Sequence, residues 1–450
     1  MTETAPARPV TYRRVAGIAL PVVLSNATVP LQGAVDTAII GNLGQAHALA
    51  AVTLGATVVT LLFSSFNFLW MGVSGLTAQA VGAQNAERVM NTLARALLIA
   101  MAAAALLVLV SGWIAPLSLA LFEGSPAAEA EAHGYVLIRL WSAPAELANL
   151  AIMGWFVGQQ QTRRLFELQL VISVLNIALN LLFVLGLGWG VEGVALGTAV
   201  AATAGTGLGL WRIRQRARVV VPTGYRLDWP RILQRREIGP LLALNTDIFI
   251  RTLCLTGSFT WIARLGSLEG DAVLAANGVL LQFLHISAHA LDGFAIAAET
   301  LVGQALGARD SAQMRRSVVV STVAALGLAT VFSLVASALA GPVIALFTNV
   351  PEVQEIAIAH ALWATALPLV AVLAYQLDGV FLGAADGPAM RNAMLVSTAL
   401  FLPLSWALTQ SLGNHGLWAS LWVFMALRTL TLALRYPGLE RRANGRLSHD

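Results

Sequence analysis

Runs of about 18 or more predominantly apolar residues recur from one end of this chain to the other, and few folds accept them. In hydrocarbon each backbone N–H and C=O must find its partner within the protein, so only helices and closed barrels span a bilayer. These runs are too long for barrel strands and match the roughly 20 residues that a helix needs to cross a core about 30 Å thick. Only 11% of the residues are charged, against about 25% in soluble domains. The chain is therefore expected to be an all-α membrane protein.

Twelve transmembrane helices are predicted, at about 16–40, 49–73, 94–114, 135–157, 168–187, 191–213, 239–265, 272–299, 318–340, 356–384, 390–412 and 417–434. The first run lacks a small-residue cleavage site of the A-x-A kind and reads as a retained helix rather than a signal peptide. Cys254 is the only cysteine, which excludes an intramolecular disulfide, a cysteine metal site and a redox pair. There is no lysine, so all 27 basic residues are arginine, a pattern of composition rather than of chemistry.

Arginine placement tests this count. With twelve helices both termini and every second loop share one side. That side holds Arg8, Arg13 and Arg14, Arg88 and Arg95, Arg163 and Arg164, the cluster from Arg212 to Arg236, Arg309, Arg315 and Arg316, Arg391, and Arg435 to Arg446. The opposite loops hold only Arg264 but carry Glu123, Glu129, Glu131, Glu352 and Glu355. The positive-inside rule then places both termini in the cytoplasm. The basic balance belongs to loops beside anionic lipid and implies no nucleic-acid partner.

The two halves resemble each other at an offset of about 225 residues. Ala80-Val-Gly-Ala-Gln-Asn-Ala-Glu-Arg88 follows the second helix, and Ala305-Leu-Gly-Ala-Arg-Asp-Ser-Ala-Gln313 follows the eighth. Leu49-Ala-Ala-Val52 pairs with Leu274-Ala-Ala-Asn277, and Gly154-x-x-x-Gly158 with Gly379-x-x-x-Gly383. Two pseudo-symmetric six-helix lobes are expected, 1–220 and 221–450, joined by a basic linker at about 212–237. A parallel repeat of this kind suits alternating access around a site near the bilayer midplane. A duplicated channel or scaffold is the bland alternative.

Within the spans, polar residues are the candidates for function. A carboxylate at the centre of a membrane helix costs about 2.5–3.5 kcal/mol on insertion scales, which makes Asp36 in the first helix conspicuous. Gln32 lies one turn before it, and Pro21 removes a backbone hydrogen bond earlier and favours a helix bend. Asn176 and Asn180 share a face of the fifth helix, Thr198 lies in the sixth, and Tyr135, Arg139 and Glu146 in the fourth. If these converge, they form a carboxylate–amide–hydroxyl network suited to an acid that cycles between protonated and charged forms. The plainer reading is that the asparagines bond neighbouring helices.

The second half is more ionic. Asp247 and Arg251 are four apart and positioned to neutralise each other. His285, His289, Asp292 and Glu299 fall on one broad face of the eighth helix, and Asp378 lies in the tenth. A packed, internally paired polar face, a proton or cation relay, and a histidine metal site are the three readings; no further histidine sits at ligand spacing, so no metal is expected.

Several of these segments resemble a known family. Val35-Asp-Thr-Ala-Ile-Ile-Gly41, Gly82-Ala-Gln-Asn-Ala-Glu87, Gly303-Gln-Ala-Leu-Gly307, Asn245-Thr-Asp-Ile-Phe-Ile-Arg-Thr252 and Leu291-Asp-Gly-Phe294 look like the multidrug and toxic compound extrusion (MATE) family of the MOP superfamily, most of all its DinF-like branch. The resemblance covers essentially the whole chain. It implies a monomeric multi-pass transporter of a bacterial inner membrane that exports cationic or amphipathic compounds by ion-coupled alternating access. It also implies that Asp36 is the proton-coupling group, surrounded by Asn176, Asn180 and Thr198, and that Pro21 is associated with bending of the first helix. Archaeal relatives carry a second acid at the position of Asn180, so asparagine there weakens a sodium site. Other branches bind cations in the second lobe, for which Asp247 and Asp378 are the counterparts, with Arg251 beside Asp247 as a departure.

The expected mechanism is proton-coupled antiport without a cofactor, with sodium as an alternative coupling ion. Phe63, Phe66, Trp70, Met71 and Met153 are candidates for an adaptable apolar wall. Two rivals remain at this level. A flippase for lipids or lipid-linked precursors would share the fold but needs a cationic cavity. A membrane-embedded enzyme would use His285, His289 and Asp292, yet has no need of two like lobes.

Overall fold

The computed structural model describes residues 9–42, 46–120, 125–220, 229–232 and 234–444. Arg8, Glu123, Arg226, Arg446 and the linker positions 221–228 and 233 lie outside the described residues. The elements of the first half are α1 (Tyr12–Gly41), α2 (Ala46–Ser64), α3 (Phe68–Gly82), α4 (Ala86–Leu109), α5 (Ser111–Leu119), α6 (Pro126–Trp141), α7 (Ala143–Gly158), α8 (Thr162–Asn180), a π-helical turn (Leu181–Gly186) and α9 (Gly190–Val220). The second half holds α10 (Trp229–Ile232), α11 (Arg235–Leu268), α12 (Asp271–Gly307), α13 (Ser311–Ala338), α14 (Ala340–Phe347), α15 (Pro351–Gly383), α16 (Gly387–Leu412), α17 (Asn414–Ala433) and α18 (Tyr436–Ala443). Among the described residues eleven helical stretches are long and apolar enough to cross a bilayer, and the bent pair α6–α7 makes twelve.

Three spans that hydropathy draws as continuous are interrupted. The second pauses at Ser65–Asn67, where Asn67 N–H closes on Ser64 C=O at 3.1 Å and Ser65 Oγ takes the Leu61 carbonyl at 2.9 Å. The fourth bends by 51° between α6 and α7. Pro144 supplies the cause, since it has no N–H for the preceding turn, and Ser142 Oγ satisfies the Arg139 carbonyl at 2.7 Å. The fifth widens into the π-helical turn directly after Asn180. By contrast α1 runs unbroken through Pro21.

The repeat is visible in backbone detail. Gln84 and Arg309, 225 residues apart, both hold left-handed conformations (φ 54° and 56°), and Gln160 and Ala385 do the same (φ 59° and 51°). Asn85 caps α4 and Asp310 caps α13 through side-chain acceptors at 2.8 Å. A Cβ on Gly154 or Gly158 would strike the Trp70 or Ser74 carbonyl, and one on Gly379 or Gly383 the Ala295 or Glu299 carbonyl. These glycines let α7 reach the α3 backbone and α15 reach the α12 backbone, the close approach that small residues permit between membrane helices.

Two compact units result: Leu24–Leu242, and Ala243–Asp450 joined by the chain up to Val23. The division therefore differs from the expected 1–220 and 221–450. The first turns of α1 belong with the second unit because Val15, Ile18 and Ala19 are buried in one apolar cluster with Ala297, Leu301 and Val320. The expected linker is also more ordered than a connector: α9 continues to Val220, and Arg95 Nε of α4 holds the Ile232 carbonyl of α10 at 3.3 Å.

Candidate functional site

In the first unit a single hydrogen-bonded chain runs from α1 through α8 to α9. Asn180, the last residue of α8, donates from Nδ2 to Asp36 Oδ1 at 2.6 Å. The same Nδ2 lies 3.3 Å from Asn176 Oδ1, one turn earlier. Asn176 Nδ2 donates to Thr198 Oγ1 at 2.8 Å, and Thr198 Oγ1 donates to the Val194 carbonyl at 2.9 Å. Both asparagines are fully buried, whereas Asp36 is half-buried. One donor, Asn180 Nδ2, points at Asp36, while those of Asn176 and Thr198 point away and fix the Asn176 amide so that its oxygen orients Asn180. Buried amide networks of this kind gain from low local dielectric.

The local fold explains the placement. Asn176 and Asn180 are one turn apart on α8 and share its inward face. Gly197 of α9 opens the space for the Asn180 carboxamide, since a Cβ at 197 would collide with Asn180 Oδ1. That oxygen has no hydrogen-bond partner among the described residues, while the amide nitrogen donates to Asp36 and Asn176. The π-helical turn begins one residue later, and such turns often mark functional positions.

The remaining first-unit expectations are met differently. Gln32 Oε1 accepts from Ser173 Oγ at 3.4 Å, one turn away from the Asp36 chain. Tyr135 is buried on α6 with its ring over Gly55, and its phenol is within electrostatic reach of Arg139 and Asp36 without hydrogen-bonding into the chain among the described residues. Arg139 pairs with Glu146 at 2.7 Å across the α6–α7 bend and lies over the Phe63 ring at 5.7 Å. Its charge also acts on Asp36. Ser173 and Gly197 were not foreseen. Gly197 carries no sequence signal of its own, because its role depends on a contact between helices.

The second unit corrects the expected pairing. Asp247 does not neutralise Arg251: it accepts from Arg391 of α16 at 2.6 Å. Arg251 donates to Asp378 of α15 at 2.5 Å, and Arg428 of α17 donates to the same oxygen at 2.6 Å. Spacing along α11 would allow the local pair, but the acid of α15 is buried with both guanidinium groups, and a buried charge needs a direct partner most. Asp378 is therefore held by two arginines through one oxygen. Asp292 lies within electrostatic reach of Arg251, Arg428, Asp378 and Tyr375. Among the described residues no group of acids, histidines and cysteine gathers at metal-binding distance. His285 and His289 stand on the exposed face of α12, while Glu299 leaves that face and is buried behind Gly383.

Comparison with known proteins agrees with this architecture. The MatE family model matches residues 21–182 and 248–407, one interval in each half of the repeat. The chain is 42% identical to DNA damage-inducible protein F of Escherichia coli (strain K12), over 92% of this chain and 90% of that protein. It is 28% identical to a probable multidrug resistance protein NorM of Bradyrhizobium diazoefficiens, over 91% and 90% of the two. Among solved structures, a MATE transporter in its bent conformation matches with a TM-score of 0.85 at 18% identity, covering 96% of each chain. A MOP superfamily transporter from Pyrococcus furiosus matches with a TM-score of 0.83 at 17% identity, again over 96% of each. At these identities the structural matches show the fold alone. The membrane-enzyme reading ends here, and the chain belongs to the MatE family of multi-pass membrane transporters that export drugs and toxic compounds.

Proposed function

We propose that this chain is a proton-coupled antiporter that exports cationic or amphipathic compounds by alternating access, with Asp36 as the proton-carrying group and both termini cytoplasmic. The observation that carries the reading is the 2.6 Å contact between Asn180 Nδ2 and Asp36 Oδ1, backed by Asn176 and Thr198. A carboxylate receives a charge-assisted bond worth about 1.5–3 kcal/mol, whereas a neutral acid receives one worth about 0.5–1.5 kcal/mol. Protonating Asp36 therefore weakens its hold on α8 by roughly one hydrogen bond, a differential that can bias two conformations.

In the outward-open state Asp36 takes up a proton, lets α1 part from α8, and the exported compound leaves. After the change to the inward-open state, proton loss restores the Asn180 contact and a new compound enters. One charge crossing the membrane supplies about 2.3 kcal/mol per 100 mV, enough for roughly a fifty-fold concentration ratio. With Asn180 rather than a second acid beside Asp36, the first-unit site offers a single carboxylate, which favours a proton over a sodium ion. The flippase reading would need unpaired cations within the spans. Arg139 is instead paired with Glu146, and Arg251 and Arg428 share Asp378.

The test is transport by purified protein in proteoliposomes under a pH gradient and, separately, a sodium gradient. A pH gradient alone should drive export of a cationic dye. Transport driven by sodium alone, with no response to pH, would replace the proton by sodium.

A further inference from the structure

At the arginine-rich end of α8 and α9 the first unit has a groove that neither transport nor topology explains. It has a volume of 230 Å³, and its lining includes Arg164, Glu167, Leu168, Val171, Leu208 and Arg212. Arg164, Leu168 and Val171 follow one face of α8. Leu208 and Arg212 follow one face of α9, which Arg216 continues a turn later. A charged mouth thus opens onto an apolar trough.

The mouth is short of negative charge. Arg164 is within electrostatic reach of both Arg212 and Arg216. The carboxylate among them is Glu167, 3.5 Å from Arg212 and 3.4 Å from the exposed Arg163. Arg164 Nη1 and Arg216 Nε are shielded from solvent and have no hydrogen-bond partner among the described residues. A buried, unpaired guanidinium nitrogen is costly unless an anion meets it. The positive-inside rule asks only that arginines sit on this side. It does not ask that they be gathered with shielded donors left unused.

The trough leads onto lipid-facing surface. Leu170, Val171 and Val174 are 41%, 43% and 58% exposed, as residues against acyl chains would be. Trp211, half-exposed beside Arg212 with its ring 5.2 Å from the guanidinium carbon, sits as an interfacial anchor does. A free anion would use the mouth and leave the trough empty, whereas a phospholipid uses both. Basic pockets between membrane helices at the headgroup level favour anionic lipids.

We propose that the groove between α8 and α9 is a binding site for an anionic phospholipid, with the phosphodiester on Arg164, Arg212 and Arg216 and one acyl chain along Leu168 and Val171. The assignment is independent of the coupling ion and of what is exported.

Purified full-length protein, examined by native mass spectrometry with equal phosphatidylglycerol and phosphatidylcholine of the same chains, tests it. The wild type should retain phosphatidylglycerol over phosphatidylcholine by roughly tenfold or more. Arg164→Gln with Arg212→Gln and Arg216→Gln should abolish that preference. Arg88→Gln with Arg309→Gln and Arg435→Gln, which removes equal charge from exposed positions on the basic side, should keep it. Val171→Trp blocks the trough with the arginines intact and should reduce lipid retention several-fold. This variant carries the test alone if the triple variant does not insert. Equal loss in the control variant would reduce the effect to general charge and overturn the proposal. So would lipid retention unchanged by Val171→Trp, or adducts of inorganic phosphate at the wild-type groove, which would assign the mouth to a free anion.

Discussion

Asn180, at the end of α8, places its carboxamide nitrogen 2.6 Å from the Asp36 carboxylate of α1. The contact ties together residues 144 positions apart. The repeat carries the same geometry into the second half without its chemistry: 225 residues on, Trp261 Nε1 donates to Ser405 Oγ at 3.0 Å, again across 144 positions. Asn176 corresponds to Phe401, which is buried against Phe424. The second half thus keeps the helix contact and loses the titratable group, so the proposed proton site is single.

Asp36→Asn keeps the size of the side chain and removes its charge. Proton-driven export should fall to background, while expression and chromatographic behaviour stay those of the wild type. The pH dependence of transport should flatten in the same variant. Dye efflux followed across a range of pH gradients measures both. Substantial gradient-driven export in this variant would sink the assignment.

Asn180→Ala removes the charge-assisted bond to Asp36. With about 1.5–3 kcal/mol attached to such a bond, gradient-driven export should drop roughly tenfold or more. Asn180→Asp instead places a second carboxylate against Asp36. That pair offers more charge for a metal cation, and transport by this variant should acquire a dependence on sodium that the wild type lacks. Flux measured with and without sodium at fixed pH decides the point.

Gly197→Ala tests the amide geometry without touching a polar group. The new Cβ would occupy the position of Asn180 Oδ1, so the carboxamide has to move away from Asp36. Export should decline as in Asn180→Ala, with only a modest change in thermal stability. An unaltered transport rate would show that the Asn180 position is not critical.

Asp378 behaves differently in this account. Arg251 and Arg428 are 8% and 2% exposed and share one Asp378 oxygen. Asp378→Asn removes the carboxylate to which both donate, and breaking a buried pair costs about 3–5 kcal/mol. The expected outcome is a large loss of thermal stability in detergent. Sodium should not raise the melting temperature of the wild type, because the two arginines occupy the place a cation would need. Stabilisation by sodium that disappears in Asp378→Asn would contradict this.

Much of the site was legible in the sequence, for a physical reason. Charge inside an apolar run is costly, so Asp36 is conspicuous in the first helix, and the i, i+4 spacing of Asn176 and Asn180 puts two amides on one face. What was not legible depends on approach between distant segments. Gly197 matters only because Asn180 arrives beside it. Asp247 finds Arg391 and Arg251 finds Asp378 because tertiary partners displaced the neighbour that spacing along α11 suggested. Arg428 is legible by the same cost argument as Asp36, since it too is charged within an apolar run, but its pairing with Asp378 is not. In the fold, hydropathy located the spans but not the pause at Ser65–Asn67 or the π-helical turn after Asn180. Both leave the run apolar while changing its hydrogen bonding.

The most direct test of the central claim is to count protons released when substrate binds. With purified protein in weakly buffered detergent and a pH-sensitive dye, a saturating cationic substrate should release about one proton per molecule from the wild type and none from Asp36→Asn, while the variant still binds. Equal proton release by both proteins would show that another group carries the proton, and the account given for Asp36 would be wrong.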